Sequence, residues 1–292
     1  MARPPSFSEF IAIDWSGQAV ERPKGLAVAR CHAGTSAPEL VTRPGGWSRQ
    51  ALADWLLELG EQQIPALVGL DLSPAFPHAD AGAFFPGWED SPGDAVSLWA
   101  MVEELCVDDP HLGASSFVAH AEARRHFRQR FDCGDCFPPG RGRFRVVEHG
   151  QEAMQLSPYS CFNLVGASQV GKSSLTGMRV LYRLAGKVPI WPFDPLPDTG
   201  PVVVEIYTAL AARQAGIRKG LSKIREGAAL DTALAAFGSG PHAPLLRYDD
   251  HATDAILSAA WLRWISPRPE VWRPAGLTPE LARTEGWTFG VV

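Results

Sequence analysis

Two short apolar runs, each closed by an aspartate, constrain this chain more than any other feature. Residues 9–14 read Glu-Phe-Ile-Ala-Ile-Asp and residues 64–71 read Ile-Pro-Ala-Leu-Val-Gly-Leu-Asp, the length and apolar density of buried strands. Between them Leu52, Trp55, Leu56 and Leu59 recur at helical spacing, with Ser48 as N-cap and Gly60 as stop. Strand, crossover helix and strand predict a parallel α/β arrangement, and an Asp at the carboxyl end of each strand predicts a site there. A further run at residues 24–31 follows a Trp-Ser-Gly-Gln turn and predicts an antiparallel hairpin with the first strand; residues 37–43 offer a third strand.

Residues 72–200 are broken by Pro and Gly, with helical stretches at Ala95–Leu105 and Ser116–Phe131. Val202 to Tyr207 is the strongest strand signal. A last helix over Asp250–Ile265 carries Ala255, Ile256, Ala259, Leu262 and Ile265 on one broad face, and Pro267 ends it. No repeat is visible and no linker separates two domains. The expectation is one α/β domain over residues 1–292: a mixed sheet, antiparallel hairpin strands plus parallel strands, flanked by helices, with a large insertion at about 72–200 between the fourth and fifth strands.

Lys and Arg number 27 against 32 Asp and Glu, which argues against a surface coated with basic charge for bulk nucleic-acid binding. No run approaches the ~18 apolar residues of a membrane span. The opening residues lack the apolar core of a signal peptide, and five Cys is an odd count that fits reduced thiols; a cytoplasmic protein is expected. Cys133 and Cys136 form one Cys-x-x-Cys without a second ligand pair, which reads as two thiols in a loop rather than zinc.

The chemistry-bearing residues are carboxylates. Asp14 and Asp71 end strands, and Asp250, His251 and Asp254 open the last helix, at spacings that let pairs share one helix face. Clustered acids need a cation, and hard oxygen ligands suit Mg²⁺ or Mn²⁺. The plainer alternatives are that Asp249 or Asp250 is only the helix N-cap and that Asp14 and Asp71 start turns. The order of FIAIDWSG, ALVGLDLS and DDHATDAILSAA resembles the RNase H-like superfamily, with HATDA similar to the last-helix motif of its RuvC-type resolvase branch. More closely, FNLVGASQVGKSSLTGM, VVVEIYTAL, DDHATDAILSAAW and EGWTFGV resemble the domain-of-unknown-function family 429, described as predicted RNase H-like nucleases. The resemblance covers nearly the whole chain, and its specificity lies in the order of short motifs. It implies an RNase H-like fold and a site in which Asp14, Asp71 and Asp254 hold one or two divalent ions that activate water against a phosphodiester, with His251 alongside. The fourth-strand acid is commonly Glu in nuclease branches; Asp71 is one methylene shorter.

Glu205, in an otherwise apolar strand, reads as a further ligand, a base behind the ligands, or the partner of an Arg. Residues Gly166–Ser173 satisfy the P-loop pattern, which taken alone predicts a nucleotide triphosphatase with Lys172 on the terminal phosphates and Ser173 on Mg²⁺. Gly177 interrupts the helix that should follow, so the milder reading has this loop lining the cleft, with Lys172 and Ser173 toward substrate. Arg124, Arg125, Arg128, Arg130, Arg141, Arg143 and Arg145 lie against only Asp132 and Asp135, interleaved with Phe127, Phe131, Phe137 and Phe144. This is a candidate nucleic-acid surface, or a solvated Arg-rich stretch over core Phe. A second basic group, Arg213, Arg218, Lys219, Lys223 and Arg225, reads as a solvated helix face. The leading function is a metal-dependent nuclease or phosphodiesterase acting on a nucleic acid or nucleotide; the alternatives are a catalytically silent or nucleotide-binding relative, and the P-loop hydrolase.

Overall fold

A computed structural model describes residues 4–129, 132–165, 169–218 and 223–292. The strands are β1 (Glu9–Asp14), β2 (Ala27–His32), β3 (Glu39–Leu40), β4 (Ala66–Leu70), β5 (Ile190–Trp191) and β6 (Val202–Glu205), in the order β3-β2-β1-β4-β6-β5. The hairpin and its edge strand pair antiparallel, whereas β1, β4, β6 and β5 run parallel. The helices are α1 (Arg49–Glu61), α2 (Ala95–Leu105), α3 (Ser115–Ala119), α4 (Val146–Ala153), α5 (Val170–Leu184), α6 (Thr208–Gln214), α7 (Gly227–Ala235), α8 (Asp250–Ile265), α9 (Pro269–Trp272) and α10 (Pro279–Thr284).

Alternation along the strands divides the interior into two layers. Ile11, Ile13, Val68, Leu70 and Val203 meet Leu52 and Leu56 of α1, Trp99 of α2 and Met178 of α5. Ala12, Leu67, Val202 and Val204 meet α8, with Leu210 of α6 and Leu234 of α7 behind it. Because α8 is enclosed by the sheet on one side and α6 and α7 on the other, it is buried nearly all round. Among the described residues no helix is long and apolar enough to cross a membrane.

Three sequence expectations need correction. Gly60 does not stop α1; it is a buried residue inside the helix, where a Cβ would come within 2.9 Å of Val188 Cγ2. Gly177 does not interrupt α5, because the absent side chain makes room for Leu72, whose Cδ2 lies 2.4 Å from the position of a Cβ. The helix predicted over Ser116–Phe131 is only α3 followed by a 3₁₀ turn at Ala123–His126; Phe131 lies outside the described residues. The insertion contains α2 to α5, and β5, too short to register as a pattern, precedes the strand predicted from Val202.

Residues 285–291 bind the two layers together. The Glu285 carboxylate accepts from the N–H groups of His78, Ala79 and Val146, its carbonyl accepts from Arg145, and Phe289 N donates to Glu205 O at 2.9 Å.

Candidate carboxylate site

Strand register places the two strand-ending acids together. Ile13 pairs with Leu70, and Asp71 N donates to Ile13 O at 3.0 Å, so the side chains at 14 and 71 leave the sheet on the same face. That face carries α8. Asp249 caps this helix by accepting from Ala252 N at 3.0 Å, which leaves Asp250, His251 and Asp254 free for other contacts. His251 Nδ1 contacts Asp14 Oδ2, Asp14 and Asp71 lie within hydrogen-bonding reach of each other, and Asp71 accepts from Thr208 N and Oγ1, each at 3.4 Å.

The electrostatics follow from burial with His251 as the one basic partner in contact that offsets it among the described residues. Asp14, 7% exposed, is raised by burial, and the His251 contact offsets part of this. Asp71 is pushed well above the usual carboxylate range by burial and then by the charges of Asp14 and Asp254. Asp254 is pushed up to about 7 by burial and then by Asp14 and Asp250. His251 is raised chiefly by its hydrogen bond to Asp14, which favours imidazolium. Near neutral pH the group therefore holds protons that isolated carboxyls would have lost.

The other expected site residues lie apart from this centre. Burial pushes Asp250 up, but Lys223 Nζ at 2.8 Å and Arg225 Nη1 at 2.7 Å outweigh it and hold the carboxyl low. Glu205 pairs with Leu70 and so faces the opposite layer. There Arg145 grips both its oxygens, at 2.6 and 2.9 Å, and Thr288 Oγ1 donates at 2.7 Å. Arg145 also reaches Glu148 Oε1 at 3.1 Å and is 1% exposed. Of the three sequence readings of Glu205, partner of an Arg is the one its contacts match. It also lines, with Asp71 and Ser173, a cleft of about 300 Å³ at the carboxyl ends of β4 and β6.

Lys172 is exposed and lines a separate recess beside Gly17 and Ser115. The P-loop geometry is not met among the described residues: Cys161–Val165, where a strand should precede the loop, forms a turn and a single bridge, and Gly166 and Ser168 lie outside those residues. Gly17 packs so closely on the first turn of α5 that a Cβ would sit 2.4 Å from Lys172 C, and Trp15 Nε1 donates to Thr176 Oγ1 at 3.1 Å. The turn after Asp14 is thereby fixed to α5.

The proposed basic surface is largely neutralised. Arg124 pairs with Asp132, Arg125 with Glu122 and Asp135, Arg141 with Glu152, and Arg143 with Asp80. Arg128 remains exposed, its backbone bridging to Phe162 and Leu164. Phe127 and Phe137 are core residues, Phe144 stacks under Arg141, and Arg130 and Lys219 lie outside the described residues. Sequence reasoning passed over Trp15, Ser73, Tyr159 and Tyr207, which line the cleft from four separate segments; the Asp-Trp-Ser and Asp-Leu-Ser repeats after the two strand-ending acids were the available signal. Among the described residues no group of three or more His, Cys, Asp and Glu has the arrangement of a ready-made metal site. No family model matches the chain, and no similar curated protein or solved structure is found.

Proposed function

We propose that the chain is an RNase H-like protein, of the family named above by resemblance, and a divalent-metal-dependent phosphodiesterase whose Asp14, Asp71 and Asp254 hold Mg²⁺ or Mn²⁺. The observation that carries the reading is the approach of Asp14 and Asp71 at adjacent strand ends, with Asp254 of α8 near enough for their charges to interact and lifted to about 7, and no Lys or Arg among the described residues in an ion pair with any of them. Buried acids that outnumber their counter-charges are costly to keep, and pKa values displaced in this way gather at functional sites. The donor chemistry fits a hard dication. The present arrangement is not a preformed cage, since Asp14 is turned toward His251, so ion entry requires that contact to loosen and the protons to leave.

A bound dication would polarise the phosphodiester and lower the pKa of a bound water. The chain's own residues supply the rest. Asp14 Oδ2 orients the His251 ring through Nδ1, leaving Nε2 to hold or pass a proton at the exposed side of the site. Thr208 steadies Asp71 between this centre and the cleft. The alternative of a catalytically silent, ion-binding relative shares every ligand and differs only in turnover.

The test is cleavage of a panel of single-stranded, duplex and hybrid substrates with Mn²⁺ or Mg²⁺. Asp14→Asn and Asp254→Asn are each expected to reduce turnover at least about a hundredfold while the fold persists. Undiminished cleavage by both variants would exclude this site; silence across the panel with retained Mn²⁺ binding would favour the silent relative.

A further inference from the structure

The cleft beside Asp71 has a lining that the carboxylate chemistry does not use. Its volume of about 300 Å³ lies at the small end of ligand pockets and suits one nucleoside-sized group rather than a helix. Trp15, Tyr159 and Tyr207 give it aromatic walls, and Ser73 and Ser173 add hydroxyls. Two of the rings are anchored, Trp15 to Thr176 and Tyr207 Oη to Ser157 O at 3.3 Å. Tyr159 is different: it is 53% exposed although its neighbours Pro158 and Ser160 are buried. A backbone flanked by buried residues thus presents a large ring to a recess in which Arg145, Glu205 and Glu148 satisfy one another and Asp71 lies at the carboxylate end.

We propose, resting on the phosphodiesterase reading, that this cleft receives one unpaired nucleobase of a single-stranded nucleic acid, stacked on Tyr159, while the adjoining phosphate lies toward Asp71. A base inside a duplex is stacked on both faces and paired along its edge, so it cannot enter a recess of this size; an unpaired base can leave the strand and exchange its neighbours for a ring. The hydroxyls of Ser73 and Ser173, and the mutual pairing of Arg145, Glu205 and Glu148 away from the Asp71 end of the cleft, suit a neutral heterocycle, and a ring contact reads no sequence. Preference for unpaired strands, with little preference among bases, follows.

The experiment is fluorescence anisotropy with a labelled oligothymidylate and a labelled hairpin duplex, in EDTA so that binding is read without cleavage. Tyr159→Ala is expected to weaken single-strand binding about tenfold and duplex binding less than about twofold, with Tyr159→Phe restoring the single-strand affinity. Circular dichroism confirms that these variants at an exposed position fold. Equal loss on both probes, or no loss on the single strand, overturns the inference while leaving the phosphodiesterase reading intact. A wild-type protein that binds neither probe also overturns the inference, and the phosphodiesterase reading stands or falls separately by cleavage with Mn²⁺.

Discussion

Two groups of acids flank the same sheet and are treated in opposite ways. On one side Glu205 and Glu148 enclose Arg145, whose charge survives burial because the two carboxylates outweigh it. On the other side Asp14, Asp71 and Asp254 are crowded together with only His251 for company. The first group is complete, with donors and acceptors matched by Thr288, Ser73 and the Glu285 carbonyl. The second has only His251 to set against three carboxyls. Burial alone therefore does not mark a functional acid; burial with an unbalanced charge does.

The comparison can be broken most severely at Arg145. Arg145→Met strands two buried carboxylates and is expected to destabilise the fold by about 3–5 kcal/mol, read by urea unfolding. A loss below about 1 kcal/mol would show that the pair contributes little and that the two groups are not opposites. The reverse sign is expected across the sheet: Asp254→Asn in EDTA at pH 8 removes an unfavourable charge and stabilises the protein by roughly 1–3 kcal/mol, while abolishing stabilisation by Mn²⁺. Destabilisation by that variant would sink the unbalanced-charge account.

The pH dependence sharpens the same contrast. Asp254 has a folded pKa near 7, above its unfolded value near 3.8, so the folded state binds the extra proton between these values and stability falls as pH rises through that window. His251, also raised in the folded state, contributes stability present below its unfolded pKa and lost as pH rises through the folded one. Both act in one direction. Metal-free protein is expected to lose stability from about pH 5 to pH 8, and Asp254→Asn to flatten the curve.

Smaller effects map the site's supports. Gly17→Ala forces a Cβ onto the backbone of Lys172 and is expected to cost roughly 1–2 kcal/mol, with turnover reduced because the turn after Asp14 moves. Lys172→Ala, at an exposed position, should change stability by no more than about 0.5 kcal/mol. Calorimetry should find no micromolar ATP or GTP binding for it to remove; such binding would restore the P-loop reading.

The legible part of this molecule was the part written locally. Strand β1, strand β4, helix α1 with its Ser48 cap and helix α8 each carry their own period or cap, and two parallel strands ending in Asp implied where the acids would meet. What escaped depended on distant neighbours. Gly177 is tolerated within α5 because Leu72 occupies the space. The basic excess around Arg143 and Arg145 vanishes against Asp80 and Glu205, 63 and 60 residues away, which no count within a window can include. The cleft draws its walls from segments with no common pattern.

The attachment of Glu285 to Arg145 has a consequence in time. These residues are 140 positions apart, and a ribosome adding about 5–20 residues per second needs roughly 7–28 s to travel from one to the other. During that interval the amide groups of His78, Ala79 and Val146 have no Glu285 to meet, and the Glu205 carbonyl of β6 has no Phe289 N–H to accept from. The nascent chain must wait with this corner open, and it closes only once residues 285–291 have been made.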